Sequence, residues 1–134
     1  MAEAPLILVV DDSLDNREAY VEYLRYRGFR TLEAATGEQA VAMALRHNPD
    51  LVVLDLLLPD IDGLDVSQRI RSARDLAPTK IIAVSARVFP SDVTSALASG
   101  CDAFLQKPCL PDDLVREMER LLDLPEGRAP RAAM

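Results

Sequence analysis

The chain has 134 residues, 22 acidic and 15 basic, for a formal charge of −7. That length supports one domain with a substantial core. The negative balance disfavours nucleic acid as a direct partner, because phosphate binding needs a basic face. Hydrophobic residues make up 49% of the chain, ordinary for a globular fold. No apolar run reaches the roughly 18 residues of a membrane span. Met1-Ala2-Glu3-Ala4-Pro5 has no basic leader, so no signal peptide is expected. Cys101 and Cys109 are too few for a disulfide scaffold, and with His47 as the lone histidine a zinc site is disfavoured. A reduced, cytoplasmic location is the expectation.

Strand-like and helix-like segments alternate about five times, the pattern of βαβ units around a parallel sheet. Leu6 to Val10 is an apolar strand ending in Asp11 and Asp12. A helix is expected from near Ser13, its N-cap, to before Gly28, its stop. On it Tyr20 packs inward with Leu24, while Tyr23 and Tyr26 are partly exposed. Arg30 to Ala34 is a weaker strand, suited to an edge. Gly37 to Arg46 is helical with Ala40, Val41, Ala44 and Leu45 on one face, and Asn48-Pro49 ends it. His47 at that end is expected to be solvated.

Leu51-Val52-Val53-Leu54-Asp55 reads as a buried central strand with a carboxylate at its end. Gly63 to Ser72 is the next helix, with Leu64, Ser67 or Gln68, and Arg71 spaced around it. Asp62 is its N-cap, and Gly63 is a turn or close-packing residue. Lys80 to Ser85 is the fourth strand. Ser91 to Ser99 is a short helix opened by Pro90-Ser91-Asp92 and stopped by Gly100. Ala103 to Gln106 is the fifth strand, followed by Lys107-Pro108. Pro111 to Leu122 is the last helix, with Leu114, Met118, Leu121 and Leu122 on its buried face. Residues 1–124 form the expected domain and 125–134 a flexible tail. No repeat and no second domain are read.

In open α/β sheets ligands bind at the carboxyl ends of the strands. If the strands are parallel neighbours, Asp11, Asp12, Asp55 and Lys107 meet at one sheet edge. Carboxylates this close need a hard cation or raised pKa values, and oxygen ligands suit Mg²⁺. The ordinary alternatives are a pair of capping acids at Asp11-Asp12 and a solvated lysine at a strand end. Against the second, an X-Pro bond can be cis at modest cost, allowing a tight turn that aims Lys107 inward.

The ordered set resembles the receiver domain of bacterial two-component response regulators. It comprises the Asp11-Asp12 pair, the Asp-x-x-x-Pro-x-x-Asp-Gly segment from Asp55 to Gly63, Ser85-Ala86, and Phe104 three residues before Lys107-Pro108. The resemblance spans roughly residues 6 to 123. It implies a doubly wound, flavodoxin-like sheet of order 2-1-3-4-5 with five helices. It also implies Asp55 as phosphoacceptor assisted by Lys107 and Ser85. In this reading Asp12 and Asp55 hold Mg²⁺ directly, Asp11 acts mainly through water, and the Leu57 carbonyl supplies a further ligand. Ser85 and Phe104 are the expected switch pair, its shift sensed by Arg87, Val88, Phe89 and Pro90 before the fourth helix.

The partners so implied are a sensor histidine kinase or histidine phosphotransfer protein, and an unidentified output protein. Leu14, Asp15 and Tyr23, with Arg87 and Phe89, are the expected docking residues. The expectation is a single-domain phosphoacceptor rather than an enzyme with its own substrate. The alternative is a relay intermediate or phosphate sink without its own output. A dehalogenase-like phosphatase would want Asp-x-Asp, but Asp55 is followed by Leu56-Leu57. A flavodoxin would want a hydroxyl- and glycine-rich loop where Asp11-Asp12-Ser13 stands.

Overall fold

The structure is a computed structural model that describes residues 3–87 and 89–125. Val88, expected to sense the switch, and the expected tail from 126 onward lie outside the described residues. Among the described residues the chain runs β1 (Leu6–Val10), α1 (Leu14–Tyr26), β2 (Arg30–Ala34), α2 (Gly37–His47), β3 (Leu51–Asp55) and α3 (Gly63–Ser72). It continues through a single 3-10 turn (Arg74–Leu76), β4 (Lys80–Ser85), α4 (Pro90–Ala98), β5 (Ala103–Gln106) and α5 (Pro111–Leu122).

All strand pairs are parallel and the sheet order is β2-β1-β3-β4-β5. β3 is buried at every position, as its unbroken apolar run requires of a strand covered on both faces. Alternate side chains of the central strands feed two cores. Leu8, Val10, Val52, Leu54, Ile81 and Ala83 pack beneath α2, α3 and α4. Ile7, Val9, Leu51, Val53, Ile82 and Val84 pack beneath α1 and α5. Burying each Leu or Ile contributes about 1.5–3 kcal/mol.

The helix ends follow local chemistry. Ser13 accepts from the Asn16 N–H at 3.4 Å, Thr36 from Gln39 at 3.1 Å and Asp62 from Leu64 at 2.9 Å. α1 stops in a Schellman arrangement: Gly28 N–H donates to the Arg25 carbonyl and Phe29 N–H to the Leu24 carbonyl, both at 3.0 Å. Gly28 takes φ 92°, which a side chain would strain. Asn48 ends α2 at φ 47°.

Several expectations about faces need correction. Leu45 is 54% exposed, because α2 turns Ala40 and Ala44 into the core and only half-buries Val41. On α3 the buried side chains are Val66, Ser67 and Ile70, whereas Leu64 is half-buried and Gln68 exposed. On α5 Leu121 and Leu122 pack against the core as expected but stay half-buried, while Val115 and Glu119 are buried beside Leu114 and Met118. Glu119 is tolerated there because Arg27 lies 3.7 Å away. The turn at Arg74–Leu76 is an addition to the expected elements. It sinks Leu76 completely into the α2/α3 core, after a helix whose polar end carries no signal for it. α4 begins at Pro90, one residue earlier than expected.

Candidate functional site

Each strand end delivers one component. Asp11 extends the β1 ladder, its N–H donating to Ala34 at 3.1 Å. Its carboxylate accepts from Ser13 N–H at 2.9 Å. Arg17 fixes the same turn, reaching the Asp11 carbonyl at 2.8 Å and Glu33 at 2.9 Å. Asp11 is 3% exposed, whereas neighbouring Asp12 is open to solvent. Asp55, 5% exposed, ends β3 opposite Val84 and accepts from Leu57 N–H at 2.9 Å. Lys107 is tied by its N–H to the Ser85 carbonyl at 2.9 Å. Its ammonium reaches back to Asp11 at 2.9 Å and Asp55 at 3.1 Å. The Lys107–Pro108 bond is cis.

Asp11, Asp12 and Asp55 each present one carboxylate oxygen within 4.8 Å of the others. Three carboxylates against one ammonium leave a negative, oxygen-only pocket, the donor chemistry of a hard dication such as Mg²⁺. Burial pushes the Asp55 carboxyl above its ordinary value, outweighing the hydrogen bonds from Leu57 and Lys107. Burial pulls the Lys107 ammonium down, but its hydrogen bonds to Asp11 and Asp55 and their charges overcome it, so its pKa lies above the usual lysine value. Burial likewise raises the thiols of Cys101 and Cys109, in keeping with inert side chains.

Ser85 is buried and its Oγ accepts from Arg87 N–H at 3.2 Å, which leaves its own proton to donate. It lines a cleft of about 340 Å³ with Leu57, Arg87 and Asp92. Arg87 stands 3.6 Å from Asp92. Leu57 is 48% and Phe89 64% exposed. Phe104 is half-buried and pairs with Ala83, two residues before Ser85 on the same face of β4. Leu14 and Asp15 are exposed at the start of α1, as expected. Tyr23 is partly exposed, as expected. It is half-buried in the seam between α1 and α5, with its hydroxyl on the Asp112 carboxylate and Arg27 donating to it at 3.1 Å. Tyr20 packs inward and its hydroxyl donates to the Cys109 carbonyl at 3.3 Å, beside the turn that carries Lys107.

Arg17 and Asp60 had no signal in the chain. Asp60 accepts from the N–H groups of Gly37 and Glu38, more than twenty positions upstream, whereas cap signatures are read within one helical turn.

The model of the response regulator receiver domain matches residues 7–119. The chain belongs to this family. MprA of Mycobacterium avium, a response regulator, is 36% identical over 130 residues, covering 96% of this chain and 56% of MprA. The chain spans about half the length of the curated relatives it matches. A CheY-like receiver domain protein from Methanospirillum hungatei superposes with a TM-score of 0.85 at 26% identity, covering 90% of this chain and 95% of that one. The receiver domain of a sensor histidine kinase from Pseudomonas aeruginosa gives 0.83 at 31% identity, covering 90% and 98%. Its structure carries a magnesium ion in the active-site cleft. The receiver of two-component signalling thus accounts for the fold order and for the acidic cluster. None of the helices described is long and apolar enough to cross a membrane.

Proposed function

We propose that this receiver accepts a phosphoryl group on Asp55 from the phosphohistidine of a sensor kinase or phosphotransfer protein. The observation that carries the reading is Asp55 itself, a buried strand-end carboxylate held by one ammonium beside two further acids. An Asp55 oxygen attacks phosphorus, a P–O bond forms, and the P–N bond breaks. Its electron pair returns to the imidazole, which takes a proton from solvent. Lys107 neutralises charge on the transferring oxygens and the Ser85 hydroxyl donates to one of them. Asp12, Asp55 and the Leu57 carbonyl would hold Mg²⁺, with Asp11 acting through water. When bound, the ion supplies further charge neutralisation.

Movement of Ser85 toward the phosphoryl group frees space beside Ala83 for Phe104, changing the α4–β5–α5 surface that an output protein reads. Leu14 and Asp15 contribute to the donor's docking surface. The location is cytoplasmic, and the protein acts by contacts rather than on a substrate of its own.

The test is labelling with a small phosphodonor, with and without Mg²⁺. Asp12→Ala is expected to weaken Mg²⁺ binding by about tenfold or more, and Asp11→Ala by less. Equal and negligible effects in a Mg²⁺ titration would exclude this ligand set.

The lifetime of the acyl phosphate is set by water access. Leu57 and Arg87 flank Ser85 in the 340 Å³ cleft, and neither is an acid or amide that orients an attacking water. The phospho-form is expected to be long-lived, as slow signalling or reversible relay requires. Combining Leu57→Asn with Arg87→Glu should speed autodephosphorylation by up to about a hundredfold, the lower end of what a positioned acid or base contributes. Decay of the wild type as fast as the double variant contradicts this.

A further inference from the structure

The segment that carries the Leu57 carbonyl is held at its near end by the site itself. Leu56 N–H donates to Val84 at 3.2 Å, and Leu57 N–H to Asp55 at 2.9 Å. Its far end is tied at Gly63, whose N–H reaches the Leu56 carbonyl at 3.1 Å. Between these lies Leu58 to Asp62, an arch over the carboxyl edge of the sheet.

The outer tie of this arch is to a different helix. Both oxygens of the Asp60 carboxylate are engaged, Oδ1 by Gly37 N–H at 2.8 Å and Oδ2 by Glu38 N–H at 2.9 Å. These are the first two N–H groups of α2, which have no partner within their own helix. The carboxylate satisfies them and faces the positive end of the helix. Those hydrogen bonds hold the Asp60 carboxyl below the ordinary carboxylate value.

Beside it, Ile61 sits where a side chain on residue 37 would stand: a Cβ there would lie 2.3 Å from Ile61 Cγ1 and 3.0 Å from Val66 Cγ2. Gly37 is therefore a seat for the arch, and Asp60 and Ile61 are the two points that rest in it. α2 itself is capped separately, by the Thr36 hydroxyl accepting from Gln39 N–H at 3.1 Å.

We propose that Asp60 is a positioning residue for the metal and phosphoryl site: it fastens the β3–α3 arch to the N-terminus of α2 and so holds the Leu57 carbonyl in place. This rests on the reading that Leu57 contributes a ligand. Asp60 does not touch the reacting atoms. A carboxylate is suited to the task because one amide oxygen replaces only half of the clamp.

The test is a Mg²⁺ titration of the full chain, followed by the amide resonances of residues 55–60, for four proteins. Asp60→Ala should weaken Mg²⁺ binding about tenfold, the lower end of what outer-shell partners contribute. Asp60→Asn, which keeps one acceptor and the shape of the side chain, should fall between. Thr36→Ala removes the separate cap of the same helix. It should lower the melting temperature while leaving the wild-type Mg²⁺ affinity unchanged.

Unaltered affinity in both Asp60 variants overturns the proposal. So does an equal loss of affinity in Thr36→Ala, which would reduce Asp60 to helix stability alone. Absence of saturable Mg²⁺ binding in the wild type removes the metal-site reading and the proposal with it, a result unlike either of the others.

Discussion

Asp55→Asn is expected to abolish phosphoryl uptake from both small phosphodonors and phosphohistidine, while the variant stays folded. The amide matches the carboxylate in shape but lacks the anionic oxygen that attacks phosphorus. The same change should stabilise the metal-free protein by about 1 kcal/mol, because functional sites hold charge at the expense of stability.

The pH dependence has a definite sign. Burial raises the Asp55 carboxyl in the folded state above its unfolded value near 3.8, so folding favours the neutral acid. At pH below the unfolded value both states are protonated and the wild type carries no penalty. As pH rises through the folded pKa the wild type must bury a charge, and the advantage of Asn appears. Urea midpoints from pH 3 to 8 in the presence of chelator read this out. Residual stoichiometric labelling in the Asn variant would remove Asp55 from its role. A wild type more stable than Asn at neutral pH would mean that the Lys107 contact outweighs burial.

Gly63→Ala is expected to lose about 3 kcal/mol, at the upper end of overpacking costs, and roughly 10 °C in Tm. A Cβ at residue 63 would meet Leu56 Cα at 2.5 Å and the Asp55 carbonyl oxygen at 3.0 Å. Those are backbone atoms of the strand end that carries the phosphoacceptor, so no side-chain rotation relieves the clash. α3 must retreat or the Asp55–Leu56 backbone must shift. Phosphorylation by a small phosphodonor should therefore slow even at temperatures where the variant is folded. A loss under 1 kcal/mol with wild-type labelling would show that the helix retreats freely. The contrast is Gly37, where the obstructing atoms belong to the Ile61 and Val66 side chains and part of the clash can be relieved.

Much of this molecule is legible before any coordinates. The five strands sit where their β-branched and aliphatic runs lie. Ser13 and Asp62 cap the helices they precede, because a cap is a contact within one turn and is written in adjacent residues. Buried faces are less legible. Leu45 matches an apolar stripe on α2 but stands in solvent, and on α3 the sequence pattern does not single out Val66 and Ile70, which are buried. Short helices with few apolar residues allow more than one stripe, and the neighbours across the core decide which is buried.

The chain by itself determined the alternation of elements, the three strand-end acids, and the lysine set to meet them. These follow from local propensity and from the rule that strand ends converge in a parallel sheet. Tertiary structure decided what acts across long separations. It put the Lys107 ammonium on Asp11 and Asp55, 96 and 52 residues away. It set the Tyr23 hydroxyl on Asp112, 89 residues away, and fastened Asp60 to the start of α2. A short polar side chain carries no mark of its partner in its own neighbourhood. Which donor it meets is fixed when the sheet orders its strands and the helices settle on it.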